Sequence, residues 1–387
     1  MNIMIANSQE FNPEIGGVEK VSCVLAGEFK KRGHNICFTA GRRSVYGNEY
    51  TPAAEQLISM DADEVEKFIC DRKIDIILNQ AGNDSEYSDF ITTLAKKNNV
   101  SIITEIHTDP MYIYQTYRHY KSGVWIKDQI KKIVLPIRDR KNTKILRKMY
   151  QDILERSDRV VLLSETFRKP FLNLTGAQYS EKVDVISNPS IYPPEKPAEK
   201  KKQMLFLGRI DHGKNVRMII DAWKLALDLA RRADAAETMK WNLMIMGDGP
   251  QKESIREYVS KKNIDKVEFV GYGKPEQAYR ESAVICMASW YEGLPMVLIE
   301  GMSNGCIPVS TDSFSSVSDV IENGKNGYIV RSGQVYQYAE ALYHLIIDEK
   351  IREKMAVNAL QKAQDFVPEK IVDKWIGLFN EVLGNGK

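Results

Sequence analysis

The chain has 387 residues, a net charge of +2 and 27% charged residues. That length suits two domains of ordinary size, each with its own core. The balanced charge argues against a dedicated nucleic-acid binder, and no apolar run approaches the roughly 20 residues that cross a bilayer.

The cysteines and the N-terminal residues point to a cytoplasmic protein. The five cysteines are scattered and odd in number, which is typical of reduced core thiols and not of a disulfide framework or a zinc site. Residues 1–7 have the pattern of a short strand, without a charged start or a cleavage site, so we expect no signal peptide.

The N-terminal half alternates predicted strands with predicted helices. The strands are 3–5, 35–39, 74–78, 101–105 and 159–163. Between the first two, a loop leads to Gly16 and Gly17 and then to a helix with apolar residues at helical spacing. The alternation predicts a parallel, doubly wound α/β sheet. The glycine pair either lets the backbone approach a ligand closely or relieves a tight turn.

Two polar features of this half could bind a ligand or could be structural. Asp61 and Asp63 have the spacing of a metal-binding carboxylate pair, but Asp61 also suits the N-cap of a helix, with Glu64 completing a capping pattern. We favour the cap and expect no metal. His107 follows the strand at 101–105, where a side chain can reach a ligand, although a lone histidine is more often structural.

A strongly basic segment occupies residues 121–148. It has ten lysines and arginines against two aspartates, a net charge of +8. Apolar residues recur within it at helical spacing, namely Ile126, Ile130, Ile133, Val134 and Ile137. Such a segment suits an anionic membrane surface, and the aromatic residues between 112 and 125 suit an interfacial belt or a sugar-binding rim. Alternatively, the apolar residues pack on their own domain and the cations are solvated.

A polar, proline-rich connector at 191–202 predicts the boundary between two domains. The next strand, at 204–207, leads through Gly208 and Arg209 to Lys214 at the start of a helix. Gly208 to Lys214 has the spacing of a P-loop, but Asn215 stands where the magnesium-binding Ser or Thr should follow, which argues against a nucleoside triphosphatase. Whether or not this segment is a P-loop, two cations beside a helix N-terminus favour the binding of an anion.

The most informative stretch runs from 288 to 310. A strand at 284–287 leads into a turn that contains Glu292 and Gly293, and a helix carrying Glu300 follows. Both carboxylates can face the mouth where strand ends meet helix starts, which is the ligand site of open α/β sheets. Pro295 suits the first helical position, so neighbouring backbone N–H groups would point at an anion such as phosphate. These groups belong to Leu294, Met296 and Val297. The alternative is a packing helix on which Glu300 faces solvent.

These features together resemble the retaining GT-B glycosyltransferases, whose marker is two glutamates with seven residues between them, here Glu292 and Glu300. The resemblance extends over nearly the full length, in the order Gly-Gly-Val-Glu at 16–19, Arg-Gly-His at 32–34, Gly-Arg with Lys at 208–214, and Gly-Asp-Gly-Pro at 247–250. It implies two Rossmann-like domains facing across a cleft. The expected parts are an acceptor-side domain at 1–190, a linker at 191–202, a nucleotide-sugar domain at 203–368, and a helix at 369–387 that crosses back to the first domain.

The resemblance also implies an activity and roles for the residues. The activity is transfer of a sugar from a UDP- or GDP-sugar to a carbohydrate or lipid-linked acceptor, with retention and without cofactor or metal, in bacterial-type polysaccharide or glycolipid synthesis. Glu300 would bind the ribose and Glu292 the sugar, while Arg209, Lys214 and the three backbone amides would hold the departing diphosphate. The other residues that the resemblance places at the donor are Gly16, Gly17, His107, Gly208, Tyr272, Gly293 and Pro295.

Several alternatives share parts of this pattern. Tyr272 stacks on the nucleobase or is an ordinary loop aromatic. A sugar-nucleotide epimerase or a phosphorylase of the same fold would use the same phosphate clamp, and a non-catalytic sugar-nucleotide-binding protein would not need both glutamates and both cations. We therefore expect a hexosyltransferase, located in the cytoplasm with peripheral association at the inner face of the membrane.

Overall fold

The computed structural model describes residues 1–14, 16–44, 52–112, 125–192, 199–233 and 240–385, with the backbone alone for 125–134, 136, 137 and 385. These residues form two compact units. Unit 1 contains the described residues up to Ile191 and the segment that begins at Pro368, and unit 2 contains those from Tyr192 to Val367. The division between Ile191 and Tyr192 coincides with the start of the linker expected at 191–202.

Each unit is built on one parallel β-sheet. The strands of unit 1 are β1 (Asn2–Gln9), β2 (Asn35–Arg42), β3 (Glu55–Ile58), β4 (Ile76–Asn79), β5 (Ser101–Ile106), β6 (Arg159–Leu162) and β7 (Val183–Val185). Those of unit 2 are β8 (Lys201–Leu207), β9 (Asn242–Met246), β10 (Val267–Gly271), β11 (Ser282–Cys286), β12 (Ile307–Thr311) and β13 (Tyr328–Val330). The sheet order is β3-β2-β1-β4-β5-β6-β7 in unit 1 and β10-β9-β8-β11-β12-β13 in unit 2. The predicted α/β class with two Rossmann-like sheets is confirmed.

Helices connect these strands. In chain order they are α1 (Gly17–Lys31), α2 (Ala62–Asp71), α3 (Ser85–Lys97), α4 (Trp125–Arg156), α5 (Glu165–Thr175), α6 (Val216–Arg232), α7 (Lys252–Lys261), α8 (Glu276–Glu281), α9 (Met296–Ser303), α10 (Val317–Val320), α11 (Val335–Ile347), α12 (Glu349–Ala363) and α13 (Pro368–Asn385). Short 3-10 turns lie at Ala177–Lys182 and Gln364–Phe366.

The strands that the sequence predicted in unit 1 are confirmed. Their central residues are buried on both faces of the sheet, as the apolar runs of a parallel sheet require. The sequence did not reveal β3 and β7. These strands have four and three residues, too few to form a clear pattern.

The C-terminal helix α13 packs on α1. Trp375 and Phe379 lie in the same core cluster as Phe29, with 5.4 Å between the ring centroids of Phe29 and Phe379. At the end of α1, Arg32 donates to Asp373 at 2.9 Å. The chain thus returns after unit 2 to the compact unit that contains the first sheet.

The strand orders create one topological switch point in each unit. In unit 1 the connections run in opposite directions from β1 and β4, and in unit 2 they do so from β8 and β11. Loops leaving the carboxyl ends of such strand pairs diverge and open a crevice, which is where ligands bind in doubly wound sheets. The residues singled out between 208 and 214 and between 290 and 295 follow β8 and β11.

Two local predictions concern α2. Asp61 Oδ1 accepts from the backbone N–H groups of Asp63 and Glu64, both at 3.0 Å, so the capping interpretation is confirmed. The prediction of core thiols is wrong for Cys70, which lies on the solvent face of this amphipathic helix and is exposed. Of the other cysteines, Cys23 is half-buried and Cys37, Cys286 and Cys306 are buried.

The basic segment is helical from residue 125 onward, as part of α4. Residues 121–124, and the tyrosines at 114, 117 and 120, lie outside the described residues, as do the side chains of the predicted apolar stripe. Farther along α4, Ile145 is 53% exposed beside a group of exposed cations. These are Arg138, Arg140, Lys141, Lys144, Arg147 and Lys148. Within the described ranges, no helix combines the length and apolarity needed to span a bilayer.

Candidate active site

The loop after β8 is held against the loop after β9. The Gly208 amide donates to the Met246 carbonyl at 3.0 Å, and the Ile210 amide donates to the Asp248 carbonyl at 2.8 Å. A Cβ on Gly247 would lie 1.9 Å from the Gly208 carbonyl oxygen, so the two backbones approach to a distance that only glycine allows. This contact fixes where the chain leaves the sheet toward Arg209.

Lys214 is positioned by its backbone and by its ammonium group. Asp211 Oδ1 accepts from the Lys214 backbone N–H at 3.1 Å, and Asn215 has a left-handed backbone, with φ of 49°, that turns the chain into α6. The Lys214 Nζ donates to Glu292 Oε1 at 2.6 Å. Arg209 lies in the same loop, 71% exposed, with Nε 3.5 Å from Asp211 Oδ2.

Three hydrogen bonds hold the loop after β11, which places Glu292 beside Lys214. The Trp290 amide donates to the Gly213 carbonyl at 2.8 Å and joins the two loops directly. The Ser313 hydroxyl donates to the Ser289 carbonyl at 2.5 Å, and the Ser316 hydroxyl donates to the Gly293 carbonyl. The sequence-predicted residues Gly208, Lys214, Glu292 and Gly293 are therefore brought together at the switch point of unit 2.

The start of α9 differs from the prediction in two respects. Pro295 is the N-cap, with ψ of 75°, and Met296 is the first helical residue, because this ψ lies outside the helical range. The Met296 N–H donates to the Leu294 carbonyl at 2.9 Å and is not free for an anion. Among the described residues, the N–H groups of Leu294 and Val297 have no hydrogen-bond acceptor. They are the groups of this turn that can bind a ligand.

Glu300 is buried and bonded, so the alternative in which it merely faces solvent is wrong. Its side chain is on α9, and the residue is 7% exposed. The Tyr279 hydroxyl, on α8, donates to Glu300 Oε2 at 2.6 Å. Burial, followed by the charge of Glu300, raises the pKa of Tyr279 well above its usual value, so this hydroxyl keeps its proton. The Tyr192 ring packs beside Tyr279 at 5.7 Å between centroids.

Tyr272 presents its ring to solvent at the carboxyl end of β10. It is 84% exposed and follows Gly271, whose φ of 76° is a left-handed conformation. In the sheet β10 lies two strands from β8. An exposed ring at this edge offers a stacking surface, and its exposure shows that it contributes little to the core.

In unit 1 the glycine pair lies at the N-terminus of α1. Gly16 has an extended backbone, with φ of −157°, and neither glycine has a positive φ, so no left-handed conformation requires the pair. A Cβ on Gly17 would meet nothing within 4 Å, whereas one on Gly16 would lie 2.3 Å from Glu19 Oε2. Space is therefore open next to Gly17.

His107 follows β5 and is linked, through the side chain of Gln80, to Glu105, and the sequence singled out neither of these two residues. Its Nε2 lies 2.7 Å from Gln80 Oε1, and the side-chain NH2 of Gln80 donates to Glu105 Oε2 at 2.7 Å. Burial lowers the pKa of His107 to about 4 and raises the pKa of Glu105 to about 8, while the bond from Gln80 acts against the latter shift. The histidine is neutral at neutral pH.

Comparison with known proteins gives a family-model match within the C-terminal half. Residues 188–362 match the family model described as Glycosyl transferases group 1. The amylovoran biosynthesis glycosyltransferase AmsD of Erwinia amylovora is 32% identical over 185 residues, which is 47% of this chain and 49% of that protein. The GalNAc-α-(1→4)-GalNAc-α-(1→3)-diNAcBac-PP-undecaprenol α-1,4-N-acetyl-D-galactosaminyltransferase of Campylobacter jejuni is 29% identical over 210 residues, or 53% and 56%. The chain thus spans about half the length of these curated relatives.

Solved structures match over the whole chain. HepE of Anabaena, in complex with UDP, has a TM-score of 0.73 at 16% identity and covers 98% of this chain and 100% of its own. Sucrose-phosphate synthase of Thermosynechococcus elongatus has a TM-score of 0.73 at 16% identity, with both chains covered fully. At these identities the likeness shows the fold alone. The sequence match to the group 1 glycosyl transferases thus covers residues 188–362, and the chain as a whole shares the fold of these solved structures.

Proposed function

We propose that the protein is a retaining, metal-independent glycosyltransferase that moves a sugar from a nucleoside-diphosphate sugar to an acceptor hydroxyl. The observation that carries this proposal is the Lys214 ammonium at the switch point of unit 2, paired with Glu292 at 2.6 Å. Leu294 and Val297, at the start of α9 in the same crevice, have backbone N–H groups without an acceptor in the described chain. A cation next to such groups forms a site for a diphosphate.

The proposed chemistry depends on charge stabilisation at the leaving group. When the bond between the anomeric carbon and the diphosphate breaks, negative charge accumulates on the phosphate oxygens. Lys214, Arg209 and the two N–H groups stabilise that charge, a role that a metal ion fills in other enzymes. Lys214 exchanges Glu292 for the phosphate, and the Glu292 carboxylate then accepts hydrogen bonds from the sugar. Retention is proposed from the E-x7-E resemblance of Glu292 and Glu300.

Glu300 is proposed to bind the ribose of the donor. The Tyr279 hydroxyl donates to Oε2 and orients the carboxylate, whose oxygens can each accept more than one hydrogen bond. A buried carboxylate is a strong acceptor for such hydroxyls, because hydrogen bonds to ionised groups are stronger than neutral ones. The exposed ring of Tyr272 is proposed to stack on the nucleobase.

The comparisons support a choice of donor and acceptor class. The HepE structures are complexes with UDP and with UDP-glucose, so we propose a UDP-sugar in preference to a GDP-sugar. The names of the relatives refer to amylovoran biosynthesis and to an undecaprenol-linked glycan. On that basis the acceptor is proposed to be a carbohydrate or a lipid-linked glycan in polysaccharide or glycolipid synthesis.

The exposed cations of α4 support a peripheral membrane location for such an acceptor. Ile145 lies among them and is exposed as well, which is the combination that an anionic lipid surface binds. The proposed location is therefore the cytoplasmic face of the membrane.

A ligand screen with a product analysis tests the function. UDP, GDP and ADP are each added to the protein in the presence of EDTA, and thermal unfolding is followed. We expect UDP to raise the midpoint, since a ligand bound only by the folded state stabilises it. Absence of stabilisation by all three nucleotides overturns the proposal. With a donor identified by the screen, the proton–proton coupling at the anomeric carbon of the product distinguishes retention from inversion.

A further inference from the structure

We propose that Gln80 and Glu105 are positioning residues that hold His107 in the tautomer with its proton on Nε2, so that Nδ1 is a hydrogen-bond acceptor for a carbohydrate hydroxyl. The identity of the hydroxyl rests on the proposed function. The assignment of the tautomer rests only on the geometry of unit 1.

The three residues meet because of the strand register. Asn79 at the end of β4 is opposite Thr104 of β5, so Gln80 and Glu105 follow as neighbours at the carboxyl ends of the two strands. His107 lies two residues after Glu105, the spacing that returns a side chain to the same face. The backbone N–H of Gln80 donates to the Ala6 carbonyl of β1 at 2.8 Å, which extends the pairing one residue beyond β4.

The side chain of Gln80 links the other two residues. Its oxygen lies 2.7 Å from His107 Nε2, and its NH2 group donates to Glu105 Oε2 at 2.7 Å. An amide oxygen can only accept, so the proton of this bond belongs to the histidine. Glu105 accepts from the NH2 group when it is ionised and also when it is protonated on its other oxygen. The bond to Glu105 therefore favours this orientation of the amide.

No hydrogen bond joins the Glu105 carboxylate directly to the His107 ring. Glu105 Oε2 is 3.8 Å from His107 Nε2, beyond hydrogen-bond distance. The His107 side chain is 9% exposed, and its Nδ1 has no partner in the described part of unit 1. Because Nε2 is bonded to Gln80, Nδ1 is the ring nitrogen that can bind a ligand.

The tautomer determines which ligands His107 can bind. A neutral nitrogen with a lone pair accepts from a hydroxyl or an amide N–H, but it does not attract a phosphate oxygen, which is itself an acceptor. His107 is thus assigned to a hydroxyl group and not to the diphosphate, and it cannot serve as the proton donor to the leaving group through Nδ1.

Long-range proton–nitrogen NMR of the uniformly ¹⁵N-labelled protein at neutral pH tests the assignment. The chain has five histidines, and the spectrum of His107→Asn identifies the signals of His107. We expect the pattern of the Nε2–H tautomer and a slowly exchanging Nε2 proton. The Nδ1–H pattern in the parent protein overturns the proposal, because it requires the amide of Gln80 to be turned over.

Two variants separate positioning from packing. Gln80→Met keeps the length of the side chain but replaces the amide with a thioether that accepts only weakly, so we expect a mixture of both tautomers and loss of the slowly exchanging proton. Glu105→Gln is the matched control, since its amide oxygen can still accept from Gln80, and we expect it to keep the parent pattern. A parent-like spectrum in Gln80→Met contradicts the positioning role.

A kinetic measurement connects the tautomer to the proposed function. Gln80→Met should lower turnover about tenfold, the rate equivalent of one hydrogen bond. Its affinity for UDP should stay unchanged, because the residues proposed to bind UDP are in unit 2. Unchanged turnover overturns the catalytic part of the inference. If the parent protein transfers no sugar at all, the proposed function fails, while the NMR result still decides the tautomer.

Discussion

The Lys214 ammonium and the Glu292 carboxylate form an ion pair at 2.6 Å between loops that follow β8 and β11. The two residues are 78 positions apart in the chain, and their side chains are 31% and 14% exposed. A diphosphate is an anion, like the Glu292 carboxylate, so an entering diphosphate competes with Glu292 for Lys214. The pair thus keeps both groups at the switch point before a donor binds.

Removal of Lys214 or Arg209, the two cations proposed to hold the diphosphate, should slow catalysis without unfolding the protein. We expect Lys214→Met and Arg209→Ala each to reduce turnover on the order of a hundredfold, the effect of losing one preorganised charge-stabilising group. Steady-state kinetics with the identified donor measures this effect. The melting temperature should change little, because solvent reaches both side chains.

Lys252 provides a matched control for Lys214. It is also a partly exposed lysine of unit 2, and its Nζ pairs with Asp248 Oδ2 at 2.7 Å. Lys252→Met should leave turnover within about threefold, because an ion pair on the surface contributes little. If both lysine variants lose activity equally, the effect is not specific to Lys214.

Tyr279→Phe should weaken both folding and nucleotide binding. The substitution removes the donor that holds Glu300 Oε2 and leaves a buried carboxylate with one bond fewer. We expect a loss of about 1–3 kcal/mol in the free energy of unfolding, the usual cost for a buried polar group without its partner. Chemical denaturation and calorimetric titration with UDP measure the two effects.

Tyr338→Phe separates the role of Glu300 from general destabilisation. The Tyr338 hydroxyl is also buried in unit 2, where it donates to the Val309 carbonyl at 2.8 Å and accepts from the Met287 amide at 3.1 Å. This variant should lose a similar amount of stability and keep its affinity for UDP. Equal losses of affinity in both variants would refute the proposed role of Tyr279.

Local features of this chain could be predicted from the sequence, and contacts between distant elements could not. The cap at Asp61 could be predicted because the backbone N–H groups that donate to it are only two and three residues away. The relation of Tyr279 to Glu300 joins two helices across 21 positions. No local pattern marks it, because α8 is only six residues long. The link from Glu105 to His107 through Gln80 depends on the register of β4 and β5, which periodicity alone does not determine.

The site at the switch point of unit 2 could be predicted in part. Resemblance selected Lys214 and Glu292 as residues of one site, but gave them separate ligands and did not predict that they bind each other. The engaged N–H of Met296 was missed as well, because it depends on the ψ of Pro295, which the ring of proline leaves free. The sequence therefore predicted the position of the site and not its hydrogen bonds.

Glu105 should make the stability of unit 1 depend on pH. Burial raises its pKa from 4.5 to about 8 and lowers that of His107 from 6.5 to about 4. Between about pH 6.5 and about pH 8, the folded state keeps the Glu105 proton and the unfolded chain has lost it, so the free energy of unfolding falls as pH rises. Between about pH 4.5 and about pH 6.5, His107 acts in the opposite sense and the two contributions offset.

Glu105→Gln removes one of these contributions. We expect the melting temperature of the variant, relative to the parent, to rise progressively from about pH 5 to about pH 8.5, because only in the parent does the unfolded chain lose a proton that the folded state keeps. Thermal unfolding in a series of buffers measures the difference. A difference that is constant over this range contradicts the assignment of a raised pKa to Glu105.

The exposed cations of α4 should bind anionic vesicles. We expect sedimentation with phosphatidylglycerol vesicles at low salt and release at high salt, because added ions screen the attraction. Substitution of four cations by Gln should abolish sedimentation, namely Arg138, Arg140, Lys141 and Lys144. The control substitutes four lysines that are exposed in unit 2, namely Lys261, Lys262, Lys266 and Lys274. Binding that survives the first set and not the second would assign the membrane surface to unit 2.

Calorimetric titration of two glutamine variants with UDP and with the intact UDP-sugar tests the central claim most directly. Glu300→Gln should bind both ligands more weakly, because an amide can no longer accept from ribose hydroxyls with both of its polar groups. Glu292→Gln should bind UDP at least as tightly as the parent, since Lys214 is freed from its ion pair, and should bind the UDP-sugar more weakly. If both variants bind both ligands as the parent does, Glu292 and Glu300 do not contact the donor, and the proposed site is wrong.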